Sequence, residues 1–230
     1  MAASASTAGS TGGTWTFTRC GGVAGVLGVV FFAVGIAMSF GAPTVNDSIA
    51  DTRAWWGDNG QHFLWSEVII SLGVILFLVP YLVALRGYLG RAGTAATSAI
   101  AVLAVLFWLL LGASASTFNA ILALGIEQID SDGTIRALQW GDFAGFSGNS
   151  LALVPFFGAT AAVFWKSKMW LGVLSLLLGA LSLLGTFTFA TSDPEHALAI
   201  FGIVSTLGFG VVTLVISAAM LMDEEPSASS

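Results

Sequence analysis

The chain has 230 residues, of which only 9% are charged while 56% are hydrophobic, and its mean hydropathy is +0.90. A soluble domain carries about 25% charged residues, so this composition excludes a soluble enzyme, a nucleic-acid-binding protein and a disordered chain. The net charge of −6 comes from seven basic and 13 acidic residues, and a multi-pass membrane protein is the class that remains.

The first 19 residues are mostly Ser, Thr, Ala and Gly, and we expect them to form a disordered cytoplasmic tail. Six apolar runs follow, each long enough for a helix that crosses the membrane, which takes about 20 residues. They are Gly21–Phe40, Leu64–Leu85, Ala95–Leu124, Trp140–Trp165, Met169–Ala190 and Ala197–Met222. None alternates polar and apolar residues as a membrane barrel does. The sequence therefore predicts an all-α bundle of six transmembrane helices over residues 20–222, followed by a short acidic cytoplasmic tail over residues 223–230. The first run follows a basic residue as in a signal peptide, but its length favours an uncleaved helix.

Basic residues are unevenly divided between the two sides of this bundle. Arg53 and Arg136 fall on one side, and the other five lie on the side of the chain termini: Arg19, Arg86, Arg91, Lys166 and Lys168. By the positive-inside rule, both termini face the cytoplasm, and we expect the protein in the cell membrane. The outer segments hold most of the acidic residues, so the outer face is predicted to be acidic.

The longest outer segment, Pro43–Phe63, contains two local signals. Ser48, with an acid three residues later, resembles a capping box, and Gly57–Gly60 has the composition of a turn. We predict a short helix lying at the interface, with Trp55 and Trp56 as anchors at the level of the headgroups. The alternative is an irregular loop whose two tryptophans dip into the headgroups.

Start signals also precede two later spans. Thr134 is predicted to cap a turn that leads into the fourth span. Ser192-Asp193-Pro194-Glu195 combines a capping hydroxyl, a first-turn proline and an acid, and it predicts the start of the sixth span.

Two ionisable residues, Glu67 and Asp142, lie within spans, where such residues are costly and mark candidate functional sites. Asp142 shares a helix face with Asn149, and Asn119 lies near the same outer end of the third span. These four residues predict a polar pocket in the outer half of the bundle. Two alternatives stay open. The acids can be hydrated groups stabilised by helix N-termini, and the polar side chains can hold helices together by hydrogen bonds.

We expect neither a cofactor nor a metal ion. Cys20 is the only cysteine, and the two histidines, His62 and His196, fall in different outer segments. Nothing in their spacing brings them together with Glu67 and Glu195 as metal ligands. No span contains a lysine for a retinal Schiff base or a central histidine for haem. Phosphate-binding loops and nucleophile motifs are absent from the sequence as well.

Three short motifs carry a resemblance to a known group of proteins. They are Ser48-Ile49-Ala50-Asp51 with Trp55-Trp56 before the second span, Leu85-Arg86-Gly87-Tyr88-Leu89 after it, and Lys168-Met169-Trp170-Leu171-Gly172 at the fifth. Over roughly Cys20 to Met222 the chain resembles uncharacterised bacterial six-helix integral membrane proteins of the domain-of-unknown-function type. It departs from them in two places. They commonly have Tyr-Tyr where this chain has Trp55-Trp56, and they commonly have a proline before Trp-Leu-Gly where this chain has Lys168-Met169. The resemblance implies an architecture and no catalytic residue.

Three functions are compatible with these patterns. The leading hypothesis is a non-enzymatic integral membrane protein that acts through helix packing with lipids or a membrane-protein partner, or as a homo-oligomer. The alternative is a small transporter or channel that uses the polar pocket, which is favoured by possible kinks at Pro80 and Pro155. A membrane-embedded enzyme is the third, although the sequence contains no recognisable nucleophile or metal set.

Overall fold

The structure, a computed structural model, describes residues 16–222, and within this range it contains helices and no strands. The helices are α1 (Phe17–Met38), α2 (Ile49–Gly73), α3 (Val79–Ala92), α4 (Ala95–Gly125), α5 (Asp132–Phe164), α6 (Met169–Thr186), α7 (Thr188–Thr191) and α8 (Ala199–Leu221). A π-helical segment, Val74–Leu78, joins α2 to α3, and a 3₁₀ turn, Ile126–Gln128, follows α4. Most of the predicted N-terminal tail and all of the predicted C-terminal tail lie outside the described residues. Phe17–Arg19 already belong to α1.

Six helical segments within residues 16–222 are long and apolar enough to cross a membrane. They are Phe17–Met38, Ile49–Ala92, Ala95–Gln128, Asp132–Phe164, Met169–Thr191 and Ala199–Leu221. This confirms the predicted all-α bundle of six spans and identifies a multi-pass membrane protein. The end of the bundle that holds the α1–α2, α4–α5 and α6–α8 connections is called the acidic end below, and the opposite end is called the basic end.

The second span differs most from its prediction. α2 begins at Ile49, where Ser48 is the N-cap and its Oγ accepts a hydrogen bond from the Asp51 N–H at 3.1 Å. The helix then continues through Gly57–Gly60, so the predicted turn and the separate interfacial helix are wrong. Gly60 instead allows α2 to approach α4 closely. A Cβ at this position would lie 2.7 Å from the carbonyl oxygen of Ala123 in α4, which is too close for a larger residue.

Trp56 is buried inside the protein, with only 1% of its surface exposed. Its ring packs edge to face against Phe63, with 5.0 Å between the centroids, and belongs to a small apolar core with Leu122, Ile126 and Ile135. The ring of Trp56 is thus enclosed by protein side chains, and its position at the level of the headgroups stays a prediction. Trp55, which is half-buried beside it, remains a predicted anchor.

The start signals of the later spans were also partly wrong. Ser131, rather than Thr134, is the N-cap of α5, so this helix begins eight residues before the predicted span. Ser192 has a left-handed backbone with φ 53°, and α8 begins only at Ala199. Asp193 instead accepts hydrogen bonds from Asn46 Nδ2 at 2.9 Å and from the Glu195 N–H at 3.0 Å. These bonds, the one from Asn46 most, lower the pKa of Asp193.

The main core is formed mainly by α3, α4, α5 and α8, and α1 packs against it between α3 and α8. Glycines make this close approach possible, and a Cβ placed on Gly25 would lie 2.6 Å from the ring of Tyr81. The core contains fully buried apolar side chains from these four helices, including Leu85, Val105, Phe156 and Ile216. Large apolar residues also cover the outside of the spans, as expected of a surface in contact with lipid.

Candidate ligand-binding cavity

The four residues predicted to form a polar pocket all line one cavity of about 580 Å³. Glu67 comes from α2, Asn119 from α4, and Asp142 and Asn149 from α5. Parts of α1 and α8 complete the wall. The structure thus brings together side chains that lie up to 82 positions apart, although their use as a binding site stays a prediction.

A hydrogen bond between α4 and α5 sets the position of one carboxylate. Asn119 Nδ2 donates to Asp142 Oδ1 at 2.9 Å. Asp142 and Asn149 are two helical turns apart on the same face of α5, and this face is directed into the bundle rather than towards lipid. The α4–α5 contact is therefore partly polar, as expected when helices associate in an apolar medium.

The second carboxylate reaches the cavity from α2. The Ser116 hydroxyl of α4 donates a hydrogen bond to Glu67, and Glu67 is near enough to Asp142 for the two to interact electrostatically. Glu67 and Asp142 are the only ionisable side chains among the described residues that line the cavity. No Lys, Arg or His is among those residues. The cavity accordingly holds two acids with no basic side chain facing them.

Most of the remaining lining is apolar. Phe32 of α1 contacts Trp108 of α4 with 5.2 Å between the ring centroids, and both side chains line the cavity. Trp108 is 3% exposed, and its indole N–H has no hydrogen-bond partner among residues 16–222. The buried Oδ1 of Asn149 also lacks one within that range. Both atoms are enclosed by the protein, so they lie within the wall and are not open to the cavity.

The π-helical segment contributes to the same wall through Val74 and Ile75. Pro80 follows two residues after it and cannot donate a backbone hydrogen bond to the preceding turn. A π-helical turn accommodates this loss without breaking the span, and such turns are frequent at functional sites. The sequence indicated a distortion at Pro80, but it gave no sign that the distorted turn would face the polar residues.

A smaller cavity of about 190 Å³ lies nearer the acidic end. The α1–α2 connection, α5 and α8 form its walls, and Asp142 and Phe146 line both cavities. Gln139 of α5 holds the α1–α2 connection against this smaller cavity, because its Nε2 donates a hydrogen bond to the carbonyl oxygen of Thr44 at 2.7 Å. Asp142 therefore lies between a small cavity at the acidic end and the larger one deeper in the bundle.

In the described part of the chain, the other titratable residues do not assemble into the ligand set of a metal site. Both histidines are exposed. No group of three or more His, Cys, Asp or Glu side chains within residues 16–222 is arranged to hold a metal ion.

Comparison with family models, with curated proteins and with solved structures gave no match. The resemblance to bacterial six-helix proteins therefore stays an expectation, and the function has to be argued from the cavity itself.

Proposed function

We propose that the protein is a membrane-embedded binding protein, of the small transporter or channel type, that takes a cation into the 580 Å³ cavity. The observation that carries this proposal is the pair of carboxylates, Glu67 and Asp142, which face a cavity without a basic lining residue in the described chain. Charged groups at membrane depth are unfavourable unless they are paired or hydrated. A bound cation supplies the missing positive charge.

The cavity favours this function over one based on helix packing alone. Polar residues that only hold helices together satisfy each other and leave little space between them. Asn119 and Asp142 do so, but a cavity of ligand size lies beside them between the helices. Sites for small molecules have this composition, with a mostly apolar wall and a few convergent polar groups.

We further propose the cell membrane as the location, with both termini in the cytoplasm. The distribution of basic residues supports this orientation. This orientation places the acidic end on the outer face, and the acidic end is the one nearer to the two carboxylates. A cation arriving from outside would then meet a negative surface before it reaches the cavity.

The proposal can be tested by cation binding to the full chain in nanodiscs. Sodium, tetramethylammonium and decyltrimethylammonium serve as probes, because they carry one charge each and differ in size and polarity. We expect at least one of them to raise the thermal unfolding temperature, since a ligand that binds only the folded state stabilises it. Glu67→Gln and Asp142→Asn should abolish the shift while the ligand-free protein still unfolds cooperatively.

Asp58→Asn is the matched control, because Asp58 is an exposed acid on the same helix as Glu67 and does not line the cavity. It should retain the shift. If none of the three cations stabilises the protein, or if Asp58→Asn abolishes the shift as well, the proposed function is wrong.

A further inference from the structure

The large cavity has a mouth on the side of the bundle. Six of its lining residues are also exposed: Ser71 and Ile75 on the second span, Ala113 and Thr117 on α4, Ile36 on α1 and Phe146 on α5. Ile75 keeps 65% of its surface exposed. The four on the second span and α4 form the largest group and lie in the middle parts of apolar spans, where the surroundings of an exposed side chain are lipid. The mouth therefore opens between the π-helical segment and α4 into the bilayer.

The two acids lie in the part of the cavity that is nearer the acidic end. Glu67 of α2 lies nearer the acidic end than Ile70 and Val74 of the same span, and Asn119 of α4 lies nearer that end than Leu109. The carboxylates are thus at the end closer to the membrane surface, and the apolar wall extends towards the middle of the bilayer. An amphipathic molecule in a leaflet has the same arrangement, with its polar head near the surface and its apolar part inside.

We propose that the ligand of this cavity is an amphipathic organic cation, which enters from the bilayer through the mouth between the π-helical segment and α4. This inference rests on the proposed function and specifies its ligand. The cationic head lies at Glu67 and Asp142, and the apolar part lies against Phe32, Ile70 and Trp108. A volume of about 580 Å³ is in the range of drug-sized ligands, about 300–1,000 Å³. A dehydrated inorganic ion would leave most of it empty.

Two probes with the same head separate this ligand class from a simple cation. Radiolabelled decyltrimethylammonium and tetramethylammonium are each bound to nanodiscs that contain the full chain, and binding to empty nanodiscs is subtracted. We expect saturable binding of decyltrimethylammonium and an affinity for tetramethylammonium that is weaker by about 100-fold or more, since each buried methylene contributes about 0.8 kcal/mol. Glu67→Gln or Asp142→Asn should weaken the binding of decyltrimethylammonium by about 30-fold or more.

The mouth is tested by two neighbouring substitutions. Ser71→Trp places a large ring in the mouth, whereas Leu72→Trp places it on the adjacent exposed position, which does not line the cavity. Ser71→Trp should slow the association of decyltrimethylammonium by about tenfold or more, and Leu72→Trp should leave it unchanged. Far-UV circular dichroism and thermal unfolding establish that both variants are folded.

Each failure has a separate meaning. Equal binding of the two probes, dependent on the carboxylates, would overturn the amphipathic ligand and leave the proposed cation site intact. Carboxylate-dependent binding of decyltrimethylammonium that Ser71→Trp does not slow would overturn the lateral entrance. If neither probe binds above the level of empty nanodiscs, and sodium gives no stabilisation, the proposed function fails together with this inference.

Discussion

Arg136 provides a sharp test of how the acidic end is held together, because its guanidinium binds the α1–α2 connection at two points. Nη1 donates to the carbonyl oxygen of Val45 and Nη2 to that of Asp47, both at 2.6 Å. A hydrogen bond that involves a charged group contributes about 1.5–3 kcal/mol, so two such bonds set an upper range of about 3–6 kcal/mol. Arg136 is only half-buried, and in Arg136→Ala water reaches the two carbonyls. We therefore expect the free energy of opening this connection to fall by about 2–3 kcal/mol.

Hydrogen exchange measures this opening directly. The Thr44 N–H donates to Asp47 Oδ2 at 2.6 Å, and the Asp47 N–H donates to the carbonyl oxygen of Thr44 at 3.2 Å. In the full chain in nanodiscs, Arg136→Ala should accelerate exchange of the peptide that contains both amides by about 30-fold, the equivalent of about 2 kcal/mol. Arg53→Ala is the control, because Arg53 binds carbonyls of the α4–α5 connection instead. Unchanged exchange in Arg136→Ala, or equal acceleration in both variants, would refute the reasoning.

Two further predictions concern the polar residues and the orientation of the chain. Asn119→Leu should lower the free energy of unfolding in detergent by about 0.6–1 kcal/mol because it removes an interhelical hydrogen bond. Asn149→Leu should leave it nearly unchanged, since Asn149 Oδ1 has no partner among the described residues, and a larger loss for Asn149→Leu would contradict this assignment. In a Cys20→Ala background, cysteines placed at Asp58 and Asp130 should react with an impermeant thiol reagent in intact cells. Protection of both would refute the orientation with cytoplasmic termini.

Hydropathy located the spans but not the ends of the helices, for a physical reason. A long apolar run is required for residence in lipid, whereas a helix can continue beyond the membrane wherever its side chains find water or a local core. Residues 49–63 are helical because they have a local core of their own, in which Trp56 and Phe63 pack on Leu122 and Ile135. The partners of Trp56 are distant in sequence, so no local pattern distinguished this buried ring from one exposed to the headgroups.

The candidate site was predictable only as far as helical periodicity reaches. The seven-residue spacing of Asp142 and Asn149 fixes a shared face in any α-helix, and the cost of polar groups in lipid directs that face inwards. The meeting of this face with Glu67 and Asn119 depends on how α2 and α4 pack on α5. Neither the cavity between them nor the place of Trp108 in its wall follows from spacing within one helix.

The two basic residues that lie at the acidic end bear on the proposed orientation. Arg53 donates to the carbonyl oxygens of Ile126 and Asp130 at 3.2 and 3.3 Å, and Arg136 binds the α1–α2 connection in the same way. Both therefore stabilise irregular backbone that would otherwise lack partners, and this role accounts for their presence on that side. The five remaining basic residues lie at the basic end: Arg19, Arg86, Arg91, Lys166 and Lys168. The division of five basic residues against two supports the proposed orientation, with cytoplasmic termini and an outward-facing acidic end.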